Sequence, residues 1–429
     1  MSIANTNLTS VRTIMPKLSQ VVPNFARATL RAVAPSIADK RNGPVLPRYS
    51  TQDLIDRLIV PVSEDDPDTD AVLEMTEQSE VFIKARDWIG LANYLTEFDQ
   101  NRCAVPSGER MLEVALYFIR DDLSELYETP NEANYETSFV YSNRLLDTIE
   151  AAHLDEPDNY MLAAILARLN LDCAWSARGS IDFADLSYDT KSIIKDHLDT
   201  VQRIVTEFDP IAYSSSLLAE VQYSFVALSD RTNLKRLQCA FDDWSELDPA
   251  NMTPYRHHAF FVPNLHGETD DTLIETEARG AVELGEDVIG SGAYTAMYLQ
   301  ALKYSPSTFT HLDTGKFVSG FDDLMQAMNK DPIRLVHLLE QVVQRFPDAA
   351  RIDTSEMSRV ARVKSARIRA ALAPVIRQYI GVLYAVAWDL SETDFLHAIA
   401  PSFEEELSRG AIVELTEGGV LVQEARFSS

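Results

Sequence analysis

Four times along this chain, a run of apolar residues at helical spacing is cut by an aspartate standing just before a proline. The breaks are Leu154-Asp155-Glu156-Pro157 leading to Tyr160, Phe208-Asp209-Pro210 leading to Tyr213, Leu247-Asp248-Pro249 leading to Tyr255, and Asp331-Pro332 before Ile333. Proline lacks a backbone N–H and crowds the turn before it, yet it fits the first turn of a helix, where that N–H has no partner to lose. An aspartate beside it accepts hydrogen bonds from the next free N–H groups. Each break therefore reads as the stop of one helix and the capped start of the next, with the tyrosine opening the face that packs on the preceding unit. Chains punctuated in this way form helical hairpins that bury their apolar faces only against their neighbours. The breaks lie 54, 39 and 83 residues apart, so the array is degenerate and not a consensus repeat.

The stretches between the breaks carry matching stripes. Leu162, Ile165, Leu166, Leu169 and Cys173 share one helical face that ends near Arg178-Gly179, where glycine suits a left-handed C-terminal position and arginine complements the helix's negative end. Residues 188–208, 214–228, 233–247, 274–289 and 294–304 read as further helices. Upstream, Ser50 caps a helix over 51–60 that Pro61 stops, 71–86 and 88–98 form a hairpin, and Ser107 caps a helix bearing Leu112, Ala115, Leu116 and Ile119. Downstream, Leu335, Leu338, Leu339, Val342 and Phe346 restore a helix, and Ile376, Tyr379, Ile380, Leu383 and Val386 mark the most apolar one. Runs at 411–415 and 420–424 around Gly418-Gly419 predict a two-strand hairpin. The predicted fold is all-α, a helical-hairpin array (α-solenoid) with a small C-terminal β-hairpin. It divides into a basic, Pro-punctuated, disordered arm at 1–50, the repeat array at 51–305, a helical region at 306–410 and the β-hairpin at 411–429.

A chain of 429 residues with 46% hydrophobic composition can bury a sizeable core. No apolar run reaches the roughly 18 residues a membrane span needs, so integral membrane association is not expected. Cys103, Cys173 and Cys239 are odd in number and far apart, which predicts reduced, buried thiols in a cytoplasmic protein and neither a disulfide framework nor a zinc site. The formal net charge of -28 argues against nonspecific nucleic-acid binding, because phosphates are repelled by such a surface. The first segment differs: Arg12, Lys17, Arg27, Arg31, Lys40, Arg41 and Arg48 meet a single acid, Asp39. It reads as a flexible arm that folds back on the acidic body; as a transit peptide it would need a long amphipathic helix, which Pro16, Pro23, Pro35, Pro44 and Pro47 interrupt.

Between Leu171 and Leu302, several motifs occur together. Ala174-Trp175-Ser176-Ala177-Arg178-Gly179 closes a helix, Phe208-Asp209-Pro210 and Leu247-Asp248-Pro249 break the next two, Tyr255-Arg256-His257 runs on to Val262-Pro263-Asn264-Leu265-His266-Gly267, and Glu277-Ala278-Arg279 follows. In this combination the segment resembles an uncharacterised bacterial family of tetratricopeptide-like helical proteins with an Ala-Trp-x-Ala-Arg-Gly helix end and Asp-Pro breaks. It departs from that family at Asn264-Leu265, where an aromatic residue is expected. The resemblance covers about a third of the chain and implies a fold, not an activity.

Two groups of residues are candidates for function. Trp175 and Arg178 are three apart on one helical face, where a guanidinium can lie over an indole, and with Tyr255 and His257 they are the predicted binding residues. His257, His266 and Glu268 are the predicted metal ligands of an alternative, a metal-dependent hydrolase, although the histidines lack the spacing of a metallohydrolase helix. Acids at Asp66, Asp68, Asp70, Glu74 and Glu77 fall at calcium-loop spacing, but Ala71 stands where the turn needs glycine, and they read better as helix-start acids. The basic run from Arg359 to Arg369 reads as a solvated helix pairing with the chain's own acids. No phosphate-binding glycine loop or nucleophile elbow occurs, and no cofactor is expected. The expected function is a non-enzymatic, helical-repeat scaffold that binds a protein or peptide partner.

Overall fold

The computed structural model describes residues 49–125, 146–178, 185–229, 233–264, 271–328, 331–345, 356–388, 391–416 and 419–424. The predicted basic arm, but for its last two residues, lies outside them. The description starts at α1 (Thr51–Arg57), which Ser50 caps through a reciprocal box with Asp53. The helix stops short of its predicted end, because the chain continues as two short strands around Pro61, β1 (Leu58–Ile59) and β2 (Val62–Ser63). α2 (Pro67–Ala85) begins with proline in its first turn and with Asp66 accepting from the Thr69 N–H at 3.0 Å. α3 (Trp88–Gln100) is capped by Asp87, and a loop at 101–110 leads into α4 (Met111–Glu125). Ser107 does not cap that helix. Its backbone N–H donates to Asp68 at 2.8 Å, and the loop turns through Arg102 and Gly108, at φ 51° and 95°, before the helix starts.

In the middle of the chain, α5 (Tyr160–Arg178) packs on α6 (Tyr188–Glu207), and α7 (Ser216–Ser229) on α8 (Leu234–Leu247), which leads to α9 (Met252–Phe261). α5 and α7 are buried on nearly every face, as helices at the centre of a protein are. The Asp-Pro breaks behave in two ways. Asp331 caps as predicted, accepting from the Ile333 and Arg334 N–H groups at 2.9 and 3.2 Å, and Asp209 accepts from Ile211 and Ala212 at 2.8 and 3.1 Å in a tight turn ahead of α7. At the other two breaks an asparagine takes over the capping. Asn159 accepts from the Leu162 N–H at 3.1 Å and Asn251 from the Thr253 N–H at 2.9 Å. Asp248 is thereby left for another partner.

Beyond α9, α10 (Asp271–Ile289) and α12 (Thr314–Ala327) flank α11 (Gly292–Tyr304), which α9 also touches and which is again buried on most faces. α13 (Pro332–Arg345) and the long α14 (Glu356–Tyr379) follow. The apolar run at 376–386 is not one helix: α14 ends at Tyr379 and β3 (Leu383–Tyr384) takes over. From the basic run, Lys364 donates to the carbonyls of Phe309, Thr310 and Leu312 at 3.1, 2.8 and 2.6 Å, so this cation closes a neighbouring turn. The chain ends with α15 (Glu392–Ile399), α16 (Glu404–Ser408) and the predicted hairpin, β4 (Ile412–Thr416) and β5 (Gly419–Gln423).

That hairpin has a third strand. β1 pairs in parallel with β4, Leu58 opposite Val413, giving the order β1-β4-β5, and β2 pairs in parallel with β3. α1 packs on α15, and the Tyr49 hydroxyl donates to Glu404 at 2.9 Å. The structure is thus mostly helical with a small sheet that joins the first described residues to the last. Among the described residues no helix is long and apolar enough to cross a membrane. Cys103 and Cys173 are half-buried free thiols, while Cys239 is exposed, contrary to its predicted burial. α11 and α12 cross so closely that a Cβ added at Gly320 would lie 2.1 Å from the Ser291 carbonyl oxygen and 2.4 Å from Thr295 Oγ1. Despite alanine's better helix propensity, Gly320→Ala is expected to destabilise the protein by about 2 kcal/mol through this overpacking. The expected readout is a lower urea midpoint with an unchanged slope.

Candidate functional site

The predicted binding residues are only partly brought together. Arg178 lies over the Trp175 ring at 5.2 Å, and Trp175 faces Phe261 of α9 at 6.0 Å. His257 stands edge-on to Trp244 at 5.5 Å and reaches Phe261 at 6.5 Å, so three of the four residues belong to one aromatic row between α5, α8 and α9. Tyr255 points elsewhere: it is fully buried against Phe241, and its hydroxyl donates to the Pro249 carbonyl at 3.2 Å. Burial pushes the His257 imidazole down to about 3, with Arg168 and Arg256 adding repulsion, so it stays neutral. The row is a packed one, and Arg178 is buried within it. His266 and Glu268 lie outside the described residues, among which no three metal-ligating side chains converge.

A different face of α9 borders open space. A cleft of about 960 Å³, counting its mouth, lies between the start of α2, the 101–110 loop with the first turn of α4, the start of α9 and the start of α13. Its polar walls are Asp68, Glu109, Glu113, Arg256, Arg334 and His337, with Met252, Ile333 and Leu338 among the apolar ones. Of these six, sequence reasoning weighed only Asp68, as a calcium-loop acid, and passed over the other five as site residues.

Three guanidinium groups fix the loop that carries Glu109. Arg110 grips Asp248, through Nε to Oδ2 at 2.7 Å and a second bond from Nη2 to Oδ1, and also donates to the Arg102 carbonyl at 2.9 Å. Arg102 donates to the carbonyls of Leu247 and Ser214 at 3.1 and 3.0 Å. From α13, Arg334 donates to the carbonyls of Pro106 and Val105. Asp248, freed from capping, is what the loop holds on to. Glu113 is placed by the N-terminus of α9, accepting from Thr253 Oγ1 at 3.4 Å and from Asn251 Nδ2 at 3.5 Å, where the helix's positive end favours a carboxylate.

Behind Glu113, the side chains of the central helices continue the charge. Arg168 of α5 pairs with Glu220 of α7 and lies 3.5 Å from Asp172. Burial, then the Glu220 charge, raise the Glu113 pKa, and Arg168 opposes them. In the cleft itself, burial lifts Glu109 to about 8, helped by Glu113 and opposed by Arg256. Burial also lowers His337 to about 4, with Arg256 repelling its proton. Glu109, Arg256 and His337 are crowded by protein yet half-exposed into the cleft. Among the described residues none of the three side chains has a hydrogen bond or ion pair. The sequence signal for this network was present but local: Glu220 is a lone charge inside Leu217-Leu218-Ala219-Glu220-Val221, and Arg168 interrupts the apolar run from Met161 to Leu169.

No protein-family profile matches the chain, and neither curated proteins nor solved structures return a match.

The Glu109 carboxyl gives a pH dependence with a definite sign. An unfolded glutamate loses its proton near 4.5, whereas in the fold this one keeps it to about 8. Its contribution to stability is therefore fully present below 4.5 and lost as pH rises through about 8. The depressed histidines slope the other way, but only below about 6.5, where unfolded histidine titrates. Native stability should therefore fall between about pH 6.5 and 8, and Glu109→Gln should remove about 2 kcal/mol of that fall. Urea unfolding at both pH values measures it.

Proposed function

We propose that the chain is a non-enzymatic scaffold, its helical hairpins forming an α-solenoid-like array, that binds a peptide segment of a partner protein in the cleft beside α9. One observation carries the reading: Glu109, Arg256 and His337 converge on one cleft and are left without partners among the described residues. These half-exposed groups meet no partner inside the described fold and present their donors and acceptors to the cleft, where a ligand can engage them together. The mixture of acids, a guanidinium and apolar wall residues such as Met252 and Ile333 suits a peptide, which offers amide, charged and apolar groups together. Free cysteines and a strongly acidic chain support a cytoplasmic setting and argue against a nucleic-acid partner.

The alternative, a metal-dependent hydrolase near His257 and His266, draws no support from His257, which is packed between Trp244 and Phe261. That alternative requires bound zinc or manganese, which elemental analysis of the purified protein detects.

Ala250 is exposed at the rim of the cleft, so Ala250→Trp fills the mouth without entering the core. In selection from a random hexapeptide pool, the native protein should enrich a defined set of sequences. Ala250→Trp should lose that set at least tenfold with an unchanged melting temperature, and Lys84→Ala, on the exposed end of α2, should keep it. Retention of the same set by Ala250→Trp places peptide binding elsewhere and overturns this reading.

A further inference from the structure

We infer that the cleft recognises a carboxylate group of its peptide, held by the Arg256 guanidinium with Glu109 and His337 beside it; the inference rests on the peptide-binding reading above. The other guanidinium groups around this site are already engaged. Arg110 is on Asp248, Arg168 on Glu220 and Asp172, and Arg334 on the carbonyls of Val105 and Pro106. Arg256 makes no hydrogen bond or ion pair among the described residues, although it lines the cleft. Glu109 and Glu113 attract it but do not reach it, and Glu113 turns its oxygens to Asn251 and Thr253 instead. Half-exposed and unpartnered within the described fold, its planar fork of donors faces the cleft and is open to an anion from outside the chain.

The surroundings select the kind of anion. A carboxylate matches the fork with two parallel hydrogen bonds. Asp66, Asp68 and Glu113 also border the cleft, and the chain carries a net charge of -28, so a phosphate dianion meets more repulsion than a single carboxylate. The neighbours of Arg256 can complete the shell of a carboxylate. Glu109, kept protonated at neutral pH by burial, offers an O–H donor, and His337, kept neutral, offers an N–H from either ring nitrogen.

The carboxylate has two sources in a peptide, its C-terminus and an Asp or Glu side chain, and three N-acetylated hexapeptide pools separate them. The first has free C-termini and no Asp or Glu, the second has amidated C-termini and includes Asp and Glu, and the third is amidated and lacks both. On immobilised native protein, at least one of the first two pools should be retained tenfold or more above the third, and the preferred pool names the source. Arg256→Gln should reduce the preferred pool to the level of the third, while Arg256→Lys, which keeps the charge without the fork, should fall between. Arg256 has no partner to lose, so both variants should melt as the native protein does; if either does not, the pool comparison on the native protein decides alone. Equal retention of all three pools, or a carboxylate preference that survives Arg256→Gln, overturns the carboxylate inference and leaves peptide binding standing. Retention of none of the pools overturns both.

Discussion

Arg110 and Asp248 are 138 residues apart in sequence and form a two-point, largely buried ion pair. Such a pair pays heavily in desolvation, and it holds only because further hydrogen bonds surround it: Arg110 also bonds the Arg102 carbonyl, and Arg102 in turn bonds Leu247, the residue next to Asp248. The clasp joins the loop between α3 and α4 to the turn between α8 and α9. Everything in the cleft depends on that joint. Glu109 is the neighbour of Arg110, Glu113 lies one turn into α4, and Asn251, Thr253 and Arg256 follow Asp248 into α9. Arg334 then fastens α13 to the same loop through two carbonyls, and the fourth wall is set.

A half-buried acid elsewhere in the molecule is partnered within the fold. Glu275 of α10 accepts from Tyr294 and Tyr298 hydroxyls at 2.7 and 2.5 Å and from Arg279 at 2.5 Å, so all of its capacity is used inside the fold. Tyr294 passes the chain of bonds on to the Asp313 N–H, at 2.7 Å, and Arg279 to its carboxylate. The contrast with Glu109 and Arg256 is physical. Both lie within the reach of each other's field, and neither has moved to close the pair, because each backbone is fixed by other bonds. A fold that fixes a guanidinium and a protonated carboxyl apart keeps both available to a third group.

Much of the secondary structure was legible, because it is written in local rules. Helix-period stripes, prolines and capping residues located the helices of the middle of the chain, and Gly418-Gly419 located the hairpin. The capping assignments failed where two candidates competed. At Asp155 and Asp248 an asparagine stood closer to the first helical turn, and the nearer side chain won. The parallel strands β1 and β3 were missed for another reason: two residues carry no periodicity, and Leu58 and Leu383 look like the ends of helices until their partners arrive from Val413 and Val62. The cleft was the least legible part. Residues 105–113, 248–256 and 334–337 are joined by no spacing rule, only by the tertiary clasp.

The predicted binding residues and the cleft lie on different faces of α9. Consecutive residues on an α-helix point about 100° apart, so Tyr255, Arg256 and His257 cannot serve one surface. His257 and Phe261, four apart, share the side that packs on Trp175 and Trp244, and Tyr255 turns to Phe241. Thr253 and Arg256, three apart, share the side that borders the cleft. Aromatic residues and histidine drew attention because those residue types so often form binding sites, but here their large rings do what large rings do in a core, wedging α9 against α5 and α8. That wedge also constrains the opposite face. A guanidinium held without a partner stays in place only if the helix beneath it cannot rotate to find one, and the packed row of His257, Phe261, Trp175 and Trp244 is what prevents α9 from turning.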